Sequence, residues 1–398
     1  MSLNPKMRRE IFEIVWTTVR DAHWDPALGG VNWIAARKKW EPRALSAKAD
    51  AGFYEALEGL LGELKQSHFA VIPPFEDRPK SESGGGGVSG ATLAWAENQV
   101  LVSAVRADSP AEKAGIKPGF VLLARNGKPL APLVQKLVAA KARPVEIGLF
   151  LRSLAGGGVG QTLAWTVKDE TDAVRDISVA CASPKGEIVQ QLGLPPVPVE
   201  FESKILDDGS WYFRFNIFLI DNQNAFRDAL AENQKARSLV LDLRGNPGGL
   251  LPMTYGFANR LALWRGNLGT QQQRNNRLRF PVAPFEGEPV YRGPVAILTD
   301  ELSLSCSEVL AGGLQEMGRA KTVGRRTGGM VLPASIKILP GGGRLEFAVA
   351  DFKTPKGVLL EGRGVIPDIP VPLTRKLLLS GPDPDLAAAQ KWIASKGR

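Results

Sequence analysis

Residues 294–318 read PVAILTDELSLSCSEVLAGGLQEMG. The opening PVAILTD is a short apolar run that reads as a strand, and from Ser305 onward apolar residues recur at Val309, Leu310 and Leu314, the spacing of one helix face. Ser305 therefore stands on a strand-to-helix turn. Ser305 and Glu308 make S-x-x-E, a capping-box pair, so one reading of Ser305 is a plain helix cap. The other reading uses the same geometry. A hydroxyl at such a turn stands beside unpaired backbone N–H groups and the positive end of a helix dipole, where a nucleophile can attack and an oxyanion can be held.

Outward from this turn, strands and helices alternate: WYFRFNIF (211–218), a helix near 222–233, SLVLDLRGNPGGLL (238–251) with a helix after Gly249, and then the turn at Ser305. This predicts an α/β domain over 185–380 with a mostly parallel sheet, followed by a C-terminal helix or tail at 381–398. Before it, residues 88–182 show short alternating runs, a short helix at SPAEKAG and an Asn126-Gly127 hairpin turn, the pattern of a small β-rich module. Residues 73–87, PPFEDRPKSESGGGG, are too rich in Pro, Ser and Gly for regular structure and read as a linker or lid. Residues 1–72 read as a helical region, with apolar stripes at Phe12, Val15, Trp16 and Val19 and at Leu57, Leu60, Leu61 and Leu64. The fold class expected is multi-domain α/β.

Composition narrows the function. The chain has 398 residues, enough for two or three cores, and 44% hydrophobic and 23% charged content, ordinary for a globular protein. No apolar run reaches the 18 or so residues that span a bilayer. The net charge is +9, but Lys and Arg are scattered without a basic arm or motif, so no nucleic-acid partner is expected. Two cysteines give neither a disulfide framework nor a zinc site. The Gly84–Gly87 run lacks the Lys-Ser/Thr of a phosphate loop, and H-E-x-x-H is absent. Chemistry without metal or cofactor is the expectation. The first residues lack the features of a secretory signal, which also fits a chain whose export leader has been removed.

The string SCSEVLAGGLQ (305–315) resembles the nucleophile segment S-A-S-E-[IV]-x-A-G-x-L-Q of the C-terminal processing, or tail-specific, serine peptidases, and DLRGNPGG (242–249) is similar to their D-L-R-x-N-x-G-G motif. The resemblance implies a crotonase-like βαβ catalytic domain with Ser305 as nucleophile. It also implies that the N–H groups of Gly248 and Cys306 hold the oxyanion, with Arg244 and Asn246 holding the turn. Many members activate serine with a lysine in a segment like G-x-x-T-x-G-K-G. Here that segment is GRRTGGMV (324–331), and Met330 stands at the lysine position. A thioether takes up no proton at neutral pH, and Arg325 and Arg326 never give theirs up.

A base is still needed, and the chain has two histidines, His23 and His68. LLGELKQSHFAV (60–71) resembles the L-L-x-E-L-x-x-S-H segment of the tricorn-core branch, DPALGGVNW (25–33) resembles a segment that precedes it, and KGVLLEGRGVIPDIPV (356–371) resembles that branch's E-x-x-G-V-x-P-D-I. This implies a tetrad in which His68 is the base and Ser67 and Glu361 orient it. Asp368 is the rival carboxylate, expected to tie down the following strand, and His23 is expected to be structural beside Trp24.

DSPAEKAGIKPGFVLLARNGKPL (108–130) is similar to the PDZ domains of processing proteases. In those domains a loop, here Gly87, Val88, Ser89 and Gly90, offers N–H groups to the C-terminal carboxylate of a peptide. Polypeptides bound through their C-termini are thus the expected partners, and an exported location is favoured because relatives are commonly exported. Two alternatives remain at this point: a catalytically silent tail-binding homologue, and a non-proteolytic acyl hydrolase on the crotonase-like core.

Overall fold

In the computed structural model, which describes residues 3–74, 86–191 and 196–396, three helices open the chain: α1 (Pro5–Ala22), α2 (Trp33–Leu45) and α3 (Asp50–Gly62). The Asn4 side chain accepts from the Met7 N–H at 2.9 Å and Pro5 presets φ, which starts α1 sharply. Its buried stripe of Ile11, Phe12, Val15 and Val19 packs in one cluster with Phe53, Leu57, Leu60 and Leu61 of α3. The sequence predicts helix to about residue 72, whereas the last helix ends at Gly62 and residues 70–72 form a strand, β1 (Ala70–Ile72). Positive φ at Lys65 (53°) and His68 (58°) turns the chain between them. Phe69 and Val71 enter the helical cluster together with Leu345 and Phe347, and β1 pairs antiparallel with residues 344–346. Local periodicity carries no sign of a pairing so distant. Of the linker expected at 73–87, residues 75–85 lie outside the described residues.

The next unit holds β2 (Gly86–Val88), β3 (Ala91–Ala96), β4 (Gln99–Val105), α4 (Pro110–Lys113), β5 (Val121–Arg125), β6 (Lys128–Pro129), α5 (Ala131–Ala139), α6 (Pro144–Leu154), β7 (Gly156–Gly158), β8 (Thr162–Lys168) and β9 (Val174–Ala180). Its sheet runs β3-β4-β5-β8-β9, with β6 beside β5, and every pairing is antiparallel. Asn126 (φ 50°) and Gly127 (φ 74°) make the tight turn between β5 and β6, as their two positive φ values require. α6 packs against β3 and contributes Ile147 and Leu151 to the core under the sheet.

After a short ribbon of β10 (Glu187–Val189) and β11 (Val197–Val199) come β12 (Phe201–Ile205), β13 (Trp211–Phe215), α7 (Ile220–Asn233), β14 (Leu239–Asp242), α8 (Leu251–Leu261), β15 (Gly266–Gln273) and β16 (Arg277–Val282). The chain continues through β17 (Val295–Thr299), α9 (Cys306–Glu316), β18 (Ala320–Gly324), β19 (Ala334–Ile338), β20 (Arg344–Ala348), β21 (Ala350–Lys353), β22 (Ile369–Pro370), α10 (Arg375–Leu379) and α11 (Pro384–Ala394). The central sheet has the order β12-β13-β14-β17-β18-β22, parallel from β13 onward. Its central strands β14 and β17 are buried along their whole length because both faces are covered there. On one face Phe226, Phe257, Val309 and Leu314 bring in α7, α8 and α9; on the other, Ala389 and Ile393 bring in α11. The segment expected as a C-terminal helix or tail is the helix α11, which covers the sheet's second face. Parallel neighbours β14 and β17 end side by side, and the turns that follow them, 243–250 and 300–305, face one another at the carboxyl edge where open parallel sheets hold their ligands.

Candidate active site

Ser305 is the residue before the first turn of α9, with φ 53° and ψ −116°, a conformation that L-residues rarely hold and that costs on the order of 1–3 kcal/mol. Its N–H donates to the Met330 carbonyl at 2.9 Å and to Glu308 Oε2 at 3.1 Å. The second bond is the glutamate half of the capping box, and the Glu308 N–H donates back to the Ser305 carbonyl at 2.8 Å. Glu308 does more than cap. Fully buried, it also accepts from the Gly329 N–H (2.8 Å), the Met330 N–H (2.9 Å) and the Thr327 hydroxyl (2.6 Å), tying the Ser305 turn to the 327–330 segment. Burial pushes its carboxyl up to about 7 against the pull of these four donors. The S-x-x-E spacing was the signal for this residue, but not for its reach.

The turn after β14 closes on Ser305 from the other side. A Cβ on Gly248 would lie 2.7 Å from Ser305 Cβ and 2.9 Å from the Cys306 nitrogen, so only glycine fits, and its φ of 96° asks for glycine as well. In this structure the Gly248 N–H donates to Asn246 Oδ1 at 2.9 Å, so that amide must exchange partners before it meets an oxyanion. Asn246 Nδ2 in turn donates to the Phe215 carbonyl at 3.0 Å. Cys306 begins α9, and its N–H belongs to the first turn, which has no acceptor within the helix. Its buried thiol is pushed up to about 11 by desolvation and is unreactive. Arg244 reaches away from the site. It bridges Asp242 (2.7 Å), Asp383 (2.8 Å) and Asp385 (3.0 Å), and so fastens the turn to the start of α11.

Ser67, His68 and Glu361 meet although 294 positions separate the first from the last. Glu361 Oε1 accepts from the Ser67 N–H (2.8 Å), and its Oε2 accepts from the Ser67 hydroxyl (2.9 Å) and the Val331 N–H (3.0 Å). Ser67 Oγ lies 2.7 Å from His68 Nδ1. A hydroxyl has one proton, and here it goes to the carboxylate, so Nδ1 must carry the proton of the second bond. Nε2 is left with its lone pair. The ring is half-buried, and desolvation lowers its pKa to about 4, so it is neutral at pH 7. No hydrogen bond joins His68 to Ser305 among the described residues, as is common before substrate tightens such a pair.

Met330 offers no base. Its carbonyl holds the Ser305 N–H, and its side chain packs with Val145 of α6 and with Leu302 and Leu304 of the turn before Ser305. α6 touches the other turn too, through Arg152 Nη1 to the Gly245 carbonyl at 3.1 Å. Sequence reasoning gave no signal for either contact. Asp368 accepts from the Thr322 N–H (3.0 Å) and pairs with Lys321 (2.9 Å), which ties β22 to β18 away from Ser305.

Of the residues expected to hold a peptide carboxylate, Gly87 and Val88 lie in β2, paired with β7, and the Val88 N–H already donates to the Ala182 carbonyl at 2.8 Å. Ser89 is buried, and Gly90, with φ 83°, abuts Ser109. A carboxylate at this loop would thus compete with the Ala182 carbonyl for the Val88 amide. Among the described residues no group of His, Cys, Asp and Glu is arranged to hold a metal, and no helix is long and apolar enough to cross a membrane.

Comparison with known proteins matches residues 211–371 to peptidase family S41 and residues 5–62 to the tricorn protease C1 domain. A carboxyl-terminal-processing protease of Picosynechococcus sp. is 30% identical over 364 residues, covering 90% of this chain and 81% of that protein. The protein of the same description from Synechocystis sp. is 27% identical over 360 residues, covering 89% and 78%. Among solved structures, that of the photosystem II D1 C-terminal processing protease superposes with a TM-score of 0.59 at 22% identity, over 95% of this chain and 99% of that one.

Proposed function

The chain belongs to peptidase family S41, the C-terminal processing serine peptidases, and from that membership we propose that it cleaves unfolded or C-terminally exposed polypeptides through a Ser305-His68-Ser67-Glu361 tetrad. What carries this reading is the run of hydrogen bonds from Glu361 through Ser67 to His68, which leaves the Nε2 lone pair as the only proton acceptor on the imidazole. Ser305 Oγ attacks the scissile carbonyl carbon and its proton passes to Nε2. The imidazolium is stabilised through Nδ1–H, Ser67 and the Glu361 charge. The oxyanion of the tetrahedral intermediate meets the Cys306 N–H, and the Gly248 N–H once it leaves Asn246 Oδ1. Collapse expels the amine, which takes the proton from Nε2, and water then releases the acyl group by the same steps in reverse. The strained φ at Ser305 suits an attacking group held in one place.

In this reading residues 1–72 supply the base, 88–182 form a PDZ-like module that selects tails, and 185–380 supply the nucleophile. A fluorophosphonate probe should modify the protein at Ser305, and casein should be cleaved with a chelator present. A protein that cleaves nothing and takes up no probe would instead be the silent tail-binding homologue, a reading that the committed Gly248 amide favours.

The pH dependence follows from the imidazole. Only neutral His68 accepts the serine proton, so activity is present above its pKa and lost as pH falls through it. With that pKa lowered to about 4, the acid limb of kcat/KM belongs near pH 4 rather than at the 6.5 of a free imidazole. A limb at 6.5 or above would place His68 in open water and contradict its crowded setting.

A further inference from the structure

The loop that presents His68 is gripped from two sides, and the tetrad accounts for only one of them. Opposite Glu361 stands His23, fully buried where α1 ends. Its Nε2 lies 2.9 Å from Gln66 Oε1, and its Nδ1 lies 2.9 Å from the Asp25 carbonyl oxygen and 3.0 Å from the Asp25 nitrogen. An amide oxygen accepts, so Nε2 carries the proton of the Gln66 bond. The His23 ring also stacks on Phe69 with centroids 5.5 Å apart and planes 11° apart. Residues 66 and 69 flank Ser67 and His68. His23 thus holds the loop at both shoulders of the base, by a hydrogen bond on one and a ring face on the other. Arg274, between β15 and β16, fixes His23 in turn by donating to the carbonyls of Arg20 (2.9 Å) and His23 (3.1 Å).

The loop needs such a grip. Lys65 and His68 both have positive φ, within four residues and without a glycine. Such backbone persists only where its surroundings over-determine it. We propose that His23 is a positioning residue for His68, holding residues 65–69 in the strained course that keeps Nε2 available to Ser305. The inference rests on the reading of His68 as the general base. His23 touches no reacting atom, and Trp24 stacks on its ring with centroids 5.6 Å apart.

The test uses the fact that the chain has two histidines. His23→Phe keeps a flat ring for Trp24 and Phe69 but removes the hydrogen bond, and in protein labelled with nitrogen-15 histidine it leaves one imidazole spectrum, that of His68. On casein, His23→Phe should lower kcat by about 10- to 100-fold and leave KM within about twofold, while the His68 resonances split or broaden. Gln66→Leu, a change at the half-buried loop rather than in the core, should reproduce that loss, and the double variant should lose no more than either single one. His23→Gln, whose amide N–H can reach Gln66, should recover part of kcat. Unchanged kcat with one sharp His68 spectrum overturns the proposal, as do additive losses in the double variant. If His68→Ala cleaves as well as the wild type, the general-base reading fails by itself. The His68 spectrum still reports whether His23 orders the loop.

Discussion

His68→Ala should lower kcat on casein by about 10⁴- to 10⁶-fold with KM little changed, the loss seen when the base of a serine peptidase is removed. The argument is one of proton acceptors. Ser305 cannot pass its proton to Met330, whose thioether is not basic, nor to Arg325, which pairs with Asp385 at 3.0 Å and stays charged. Glu308 is near, but its two oxygens already receive four donors. Met330→Ala is the contrasting variant. It removes a side chain packed on Val145, Leu302 and Leu304 while keeping the carbonyl that holds the Ser305 N–H. The change in kcat should stay below about tenfold, or ~1.4 kcal/mol of barrier. Equal losses in the two variants, or no loss in His68→Ala, would remove the histidine from the mechanism.

Arg244→Met should produce the largest loss of stability, about 3–5 kcal/mol, read as a fall in the urea midpoint. Burial alone would raise the Asp242 carboxyl, but the Arg244 and Arg214 guanidiniums outweigh it and hold the group below the usual carboxylate range. Removing Arg244 leaves Asp242 buried with the Tyr212 hydroxyl at 2.7 Å and part of its compensation gone, and it frees Asp383 at the start of α11. Arg244→Lys should recover only part of the loss, because a single ammonium cannot match the paired bonds of the guanidinium. As a control, Lys117→Met breaks an exposed, water-screened pair with Glu170 and should leave the midpoint nearly unchanged. A midpoint no lower for Arg244→Met than for the control would mean that the network contributes nothing net.

Much of the α/β architecture was legible in the sequence because it is local: a buried strand is a run of four to six apolar residues, and α7, α8 and α9 carry their own periodicity. The hairpin at Asn126-Gly127 was legible for the same reason, since its two residues specify the turn by themselves. What escaped is non-local. β1 is three residues long and owes its existence to a partner strand at 344–346. A helix or tail was expected at 381–398, but its seating against the sheet shows only when Arg244 and Arg325 are seen holding the acidic first turn of α11. At the site, Ser305, Ser67, His68 and Glu361 were reached through the resemblance to the peptidase family, whereas the Glu308 clamp, the Arg152 contact and the present partner of the Gly248 amide depend on how separate turns fall together in space.

The hydrogen bond between Ser67 and Glu361 spans 294 positions of the chain, and this separates the making of the protein from its activity in time. A ribosome adding about 5–20 residues per second takes roughly 15–60 s between the two. Throughout that interval the histidine has been made but lacks the carboxylate that fixes which of its nitrogens bears the proton. On the proposed tetrad, a nascent chain, or a truncated one ending before residue 361, would lack an oriented base. Cutting power would then arrive only once Glu361 has been made and has met Ser67.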